Sequence, residues 1–322
     1  MILFLKSILR RILYLILGVS HSQGIKKNII LFSTRRGGST LFSQLISLSE
    51  PNLRYYDHLF SWFQTDFYSR RFFNVKKNNQ EIYLTKNNSC YFELVDSGDH
   101  IARTVCNPFA KDFVRKSNRI LYKVTEGKGL FDWFIMHDNI DVVYQLRHPI
   151  ATALSIMRLG WNLTIDAYLM NQKFIDEYLT GDKYDYCIAI KNGDDLLKKY
   201  VLNWVLENLI PLSSKNLKSV FIISYEEMLM NPKKYIQELC DRLDLDGKSI
   251  MYNSLKDPSR SSTFSKEETI QEMKSLDAKS LISNWKKYIN NNREKELMMI
   301  LEKFEIDIYT LGKLTINKKY VI

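Results

Sequence analysis

Residues 28–41 read Asn-Ile-Ile-Leu-Phe-Ser-Thr-Arg-Arg-Gly-Gly-Ser-Thr-Leu, and the fold follows from how this stretch is parsed. Residues 28–32 are a short apolar run of buried-strand type, and residues 41–48 carry helical periodicity. Between them Gly37 and Gly38 let the backbone curl, so that several N–H groups aim at one point, and the start of the helix adds a dipole that favours an anion there. Ser39 and Thr40 offer hydroxyl donors, and Arg35 or Arg36 can grip a planar oxyanion. The loop is not a Walker loop: that motif places a lysine immediately before the hydroxyl residue, where this chain has Gly38.

Working outward, further short apolar runs occupy residues 52–56, 120–124, 141–146 and 220–224. Helical patterns begin at Pro149, span 194–210 and 232–243, and dominate from about residue 278. Short buried strands alternating with helices predict an α/β fold, a P-loop-like parallel sheet flanked by helices on both faces. Ligands of such sheets bind beyond the carboxyl ends of the strands, so motifs at strand ends should converge on one edge. The predicted organisation is an amphipathic N-terminal helix at 1–20, then a single domain at 25–322 with insertions at about 58–118 and 161–200.

The chain has 322 residues, 45% hydrophobic and 25% charged, enough for a substantial core and too apolar for global disorder. The formal net charge of +10 attracts polyanions, anionic lipid or phosphorylated small molecules. Its basic residues are dispersed and no nucleic-acid module signature is present, which argues against nucleic acid as a partner. Cys90, Cys106, Cys187 and Cys240 form no Cys-x-x-Cys pair, and the histidines lack metal-ligand spacing, so free thiols and no metal are expected. Residues 1–19 are too short and too charged for a comfortable transmembrane span. Three arrangements fit them: a helix lying in a membrane interface, a helix packed on the domain, or a signal sequence with Arg10–Arg11 as its basic region.

The loop resembles the Pro-Arg-Ser-Gly-Ser/Thr-Thr-Leu segment of sulfotransferases that use 3′-phosphoadenosine 5′-phosphosulfate (PAPS). Arg36, Gly38, Ser39, Thr40 and Leu41 match it, while Arg35 replaces the usual proline and Gly37 the usual serine. In that family the segment binds the 5′-phosphosulfate. An arginine at a later strand end, with a serine eight residues on, holds the 3′-phosphate; Arg147 and Ser155 keep that spacing, with His148 where an acid is common. Tyr225-Glu226-Glu227 is similar to a further family segment, in which Tyr225 would be structural or nucleotide-facing. Arg260 and Ser261 lie where the family has a loop closing over PAPS. Sulfotransferases acting on sugars or tyrosine place a carboxylate base roughly twenty residues past the loop arginine; Asp57 stands 21 residues after Arg36, with His58 as the alternative base. Lys123, at another strand end, is a further residue that could face the donor.

The resemblance implies PAPS as co-substrate, no metal, and a small-molecule, carbohydrate or lipid acceptor. A cytoplasmic enzyme with peripheral membrane contact is expected, because the first strand begins within ten residues of the apolar segment and leaves no stem. Two rivals stay open: a P-loop kinase or NTPase, and a non-catalytic membrane-associated nucleotide-binding protein. The oligomeric state is not legible.

Overall fold

The computed structural model describes residues 12–56, 113–125, 127–257 and 277–320, together with residues 9, 271 and 275. Five strands form one parallel sheet in the order β3-β5-β2-β6-β7. They are β2 (Asn28–Ser33), β3 (Leu53–Tyr56), β5 (Arg119–Val124), β6 (Ile140–Leu146) and β7 (Phe221–Ser224). A separate two-residue parallel ladder pairs β1 (Ser20–His21) with β4 (Lys116–Ser117) at the amino-terminal edge of the sheet. A short helix, α1, covers residues 12–16.

β2 is central because all six of its residues are buried and it pairs on both sides, Leu31 opposite Lys123 and Val143. Its alternation divides the core: Ile30 and Phe32 enter one layer, Ile29 and Leu31 the other. Each of these side chains contributes about 1.5–3 kcal/mol by leaving water. One layer is closed by α2 (Ser39–Leu48), which buries Phe42, Leu45 and Ile46 at i, i+3, i+4 spacing.

The opposite layer contains α3 (Phe131–Ile135), α4 (Pro149–Arg158) and the helices α5 (Ile165–Leu169), α6 (Gln172–Tyr178) and α7 (Lys183–Asn192). Then comes α8 (Leu196–Ser213), buried on nearly all sides. Proline at the first turn of α4 starts that helix without wasting a donor, as the sequence predicts. After β7 come α9 (Tyr225–Met230), α10 (Pro232–Leu243), α11 (Lys248–Ser254), α12 (Ala278–Ser283) and α13 (Asn291–Lys303). The α10 stripe of Tyr235, Ile236, Leu239, Cys240 and Leu243 packs on the α2 side of the sheet.

The strand and helix assignments made from the sequence correspond to β2, β3, β5, β6, β7, α2, α4, α8 and α10. Within the predicted insertion at 161–200, the chain forms α5, α6, α7 and the first turn of α8. Cys187 and Cys240 are free and buried, and burial pushes the Cys187 thiol up to about 12. Cys90 and Cys106 lie outside the described residues. No helix among the described residues is long and apolar enough to cross a membrane. The N-terminal helix is held by an aromatic contact. Tyr14 is buried against Phe113 at 5.9 Å, while Leu15 and Ile16 face outward. A tyrosine ring buries a large apolar surface.

Candidate functional site: an arginine-lined loop at the carboxyl edge

The loop leaves β2 at Ser33 and enters α2 at Ser39. Its backbone reverses through two left-handed residues, Arg36 at φ 59° and Gly38 at φ 99°. The Gly37 N–H donates to the Thr34 carbonyl oxygen at 2.9 Å and closes the turn. Gly38 is obligatory on two counts. Its φ disfavours side chains, and a Cβ there would lie 2.6 Å from Cδ2 of Tyr225. Arg36 accepts the same backbone region without glycine's freedom, a strain of order 1 kcal/mol of the kind found at binding sites. No side chain caps the start of α2, so its first amides remain available to an anion.

Arg147 follows the end of β6, and Ser155 sits one and a half turns into α4. The fold brings both to the loop. Arg36 Nε donates to Ser155 Oγ at 3.1 Å. Arg147 Nη1 donates to the Arg36 carbonyl oxygen at 3.2 Å, and its guanidinium lies 4.5 Å from the ring centre of Tyr225. Arg158, at the end of α4, adds a third positive charge. Burial first, then the like charges of Arg147 and Arg158, hold the Arg36 guanidinium below its ordinary pKa. Cations crowded in this way attract an anion. Ser39 is buried at the head of α2, with Thr40 and Leu41 following in its first turn.

Arg35 does something different. Its Nη2 donates to Oε1 of Glu207 and to the Asn162 carbonyl oxygen, both at 3.2 Å. The same Glu207 oxygen accepts from Asn203 Nδ2 at 2.8 Å and Thr164 Oγ1 at 3.2 Å. Arg35 therefore ties the loop to α8 and to the turn before α5, and Arg36 is the arginine left beside the phosphate motifs. That turn carries Trp161, 38% exposed, with its ring 5.9 Å from the Arg36 guanidinium carbon.

Several supporting residues were not singled out from the sequence. Gln145, on β6, takes a hydrogen bond from Ser33 Oγ and donates one to the Gly37 carbonyl oxygen, locking the loop to the sheet. Lys128, buried after β5, donates to Thr34 Oγ1 at 3.1 Å and Asn208 Oδ1 at 3.0 Å. Tyr144 and Thr34 donate to that same Asn208 oxygen at 2.7 and 3.0 Å. One signal was available: Asn203, Glu207 and Asn208 interrupt an otherwise apolar helix, and polar groups in a buried helix must have partners.

Tyr225 packs on Gly38 and Arg147, and its neighbour Glu226 is a buried bracket. Glu226 Oε1 accepts from the His148 backbone N–H at 2.8 Å, and Oε2 from Tyr309 OH at 2.8 Å and Ser224 Oγ at 3.0 Å. His148 itself is buried and stacked on Trp285 at 4.4 Å. Lys123 is buried on β5 opposite Leu31. Asp57, His58, Arg260 and Ser261 lie outside the described residues; Asp57 follows directly on Tyr56, the last residue of β3. Among the described residues no three His, Cys, Asp or Glu side chains come together as a metal site.

A parallel α/β sheet thus carries a non-Walker glycine loop at its carboxyl edge, with Arg147 and Ser155 brought against it. The family described as Sulfotransferase domain matches residues 26–307, so the chain belongs to the sulfotransferases and is a sulfotransferase enzyme. No curated protein matches it. Among solved structures, the sulfotransferase domain of the Synechococcus PCC 7002 olefin synthase is similar at 16% identity and a TM-score of 0.45, covering 91% of this chain and 100% of that one. The sulfotransferase domain of the curacin biosynthetic pathway matches at 15% and 0.45, covering 90% and 100%. Mouse sulfotransferase SULT7A1 complexed with PAP matches at 14% and 0.39, covering 88% and 86%.

Proposed function

We propose that this sulfotransferase moves the sulfuryl group of PAPS to a hydroxyl of a carbohydrate or glycolipid, in the cytoplasm and in peripheral contact with a membrane. The observation that carries the donor assignment is the convergence of two motifs 111 residues apart, Arg36 with Ser155 and Arg147 with the Arg36 carbonyl oxygen. One cationic pocket then serves both ends of a nucleotide bearing a 3′-phosphate and a 5′-phosphosulfate. Arg36, Gly37, Gly38, Ser39, Thr40 and Leu41 would hold the phosphosulfate, Arg147 and Ser155 the 3′-phosphate, and Tyr225 the wall between them. Arg35 secures the loop, and Arg260 and Ser261 would close over the nucleotide.

In the reaction the acceptor oxygen forms a bond to sulfur as the bond from sulfur to the bridging phosphate oxygen breaks. The hydroxyl proton passes to a base, Asp57 or else His58, and adenosine 3′,5′-bisphosphate leaves. Arg36 and the amides at the head of α2 would stabilise charge gathering on the leaving oxygen. The test is a metal-free titration with PAPS, adenosine 3′,5′-bisphosphate, ATP and ADP. The bisphosphate nucleotides should bind and ATP far more weakly. Preferential, magnesium-dependent ATP binding would instead make the chain a kinase or NTPase. Nucleotide binding with no transfer to any acceptor would make it a non-catalytic binder.

A further inference from the structure

The membrane contact proposed above has a specific surface. In the described part of the N-terminal helix Tyr14 is buried and packs on Phe113, with Leu13 half-buried beside it. The other face of the helix is open: Leu9, Ile12, Leu15 and Ile16 are exposed, Leu15 by 81% and Ile16 by 74%. The helix is tied to the domain at its end. The Val19 N–H closes on the Tyr14 carbonyl oxygen at 2.9 Å, and the N–H of the next residue, Ser20, donates to Arg115 O at 2.9 Å. Buried Arg54 gathers the carbonyl oxygens of Ser20, Val114 and Arg115 at 2.6–2.8 Å.

That framework sets exposed Arg115 and Lys116 beside the end of the apolar helix. The acids of this edge have other cations: Glu50 accepts from Lys26 and Arg119, and Asp244 and Asp246 face Lys26. Next to Arg115 and Lys116 opens a cavity of about 540 Å³ lined also by Leu48, Phe113 and Val114. An apolar helix face flanked by basic side chains that have no ion pair among the described residues matches the interface of an anionic bilayer, acyl chains against leucine and isoleucine and headgroups against arginine and lysine.

The position of this surface in the fold has a consequence. It lies at the amino-terminal edge of the sheet, whereas the anion loop lies at the carboxyl edge, the length of β2 or about 20 Å away. We infer that Leu9, Ile12, Leu15 and Ile16 with Arg115 and Lys116 dock the enzyme on an anionic membrane with the donor site turned toward water. The acceptor then approaches from solution, which favours a soluble carbohydrate over a short glycolipid in the same bilayer. The docking rests on the membrane contact of the proposed function, and the orientation rests also on its donor assignment; vesicle binding tests the first and nucleotide binding the second.

The experiment is co-sedimentation of the full chain with phosphatidylcholine vesicles and with mixed phosphatidylcholine–phosphatidylglycerol vesicles. The wild type should bind the mixed vesicles and not the neutral ones. The double variants Leu15→Glu/Ile16→Glu and Arg115→Glu/Lys116→Glu should each lose roughly tenfold or more in partitioning. Both should retain adenosine 3′,5′-bisphosphate binding, which separates failure of docking from failure of the transferase reading. For orientation, brominated lipid should quench the indole in Leu15→Trp, and the lipid quenching of the wild type should be unchanged in Trp161→Phe. Equal binding to neutral vesicles, undiminished binding by either double variant, concentration-dependent dimers in place of vesicle binding, or quenching that disappears in Trp161→Phe would overturn the inference.

Discussion

Arg147 lies over the ring of Tyr225, 4.5 Å from its centre, while its Nη1 donates to the carbonyl oxygen of Arg36. The tyrosine that carries Arg147 is the one that abuts Gly38. A strand-end arginine, a helix-start tyrosine and the glycine loop are therefore one mechanical unit, assembled from β6, β7 and β2.

Removal of the arginine should separate its roles. Arg147→Ala should weaken adenosine 3′,5′-bisphosphate by about 1.5–3 kcal/mol, roughly 10–150-fold, the size of a lost charge-assisted phosphate contact. Adenosine 5′-phosphate should lose much less, since it lacks the 3′-phosphate. Calorimetric titration of both nucleotides checks this, and a variant that still prefers the bisphosphate would reassign the second motif.

Gly38→Ala tests the loop itself. The new methyl meets the Tyr225 ring at 2.6 Å from a backbone at φ 99°. The expected outcome is a loss of about 1–3 kcal/mol in stability, read from urea denaturation, together with loss of donor affinity. Gly160→Ala is the control: its φ is also positive, at 63°, but nothing lies within 4 Å of the added carbon. It should cost stability without touching nucleotide binding.

His148 should make the enzyme acid-sensitive. Burial chiefly, then Lys286 and Arg147, lower its pKa from 6.5 to about 3, opposed by the nearby Lys313 main chain. Folding thus selects the neutral ring, and the unfolded imidazole titrates near 6.5. The stabilisation is complete above pH 6.5 and shrinks as pH falls toward 3, by about 2 kcal/mol on reaching pH 5. Nearby Glu226 acts with the opposite sign, since burial raises its carboxyl pKa. The measurement is therefore a difference. The stability of wild type relative to His148→Phe, which keeps the stack on Trp285 without a titrating ring, should fall between pH 7 and pH 5.

Asp57→Asn addresses the base. A carboxylate that only accepts the acceptor proton is dispensable for holding the donor. Single-turnover transfer should slow by about 10²–10⁴ with PAPS affinity little changed. Full activity in this variant and collapse in His58→Ala would move the role to His58. A collapse of donor affinity in Asp57→Asn would make the residue an organiser of the loop.

Much of the site was legible because its chemistry is local. The strand, glycine loop and helix start of residues 28–41 lie within fourteen consecutive residues, and Arg147 and Ser155 are paired by the family resemblance, which the structure matches by bringing both against Arg36. The supporting groups were not legible, because they act across distances the chain does not encode locally. Gln145 reads as one more residue of an apolar strand until β6 is seen paired with β2, and Lys128 as a surface turn until it is seen beneath Thr34. The two loop arginines are indistinguishable as letters. Glu207, 172 positions from Arg35 in the chain, takes one as a scaffold partner, and the other meets Ser155 instead.

By itself, then, the sequence determined the alternation of strands and helices, the parallel sheet and the two phosphate motifs, since these depend on periodicity, glycine conformation and residues close in the chain. Only the tertiary structure decided which arginine is committed, how the two motifs meet, and that the exposed N-terminal helix and the glycine loop occupy opposite edges of the sheet. Those properties follow from parallel strand order, which sends every strand's carboxyl end to one edge and every amino end to the other, and from buried charges, which must take the partner that packing brings to them.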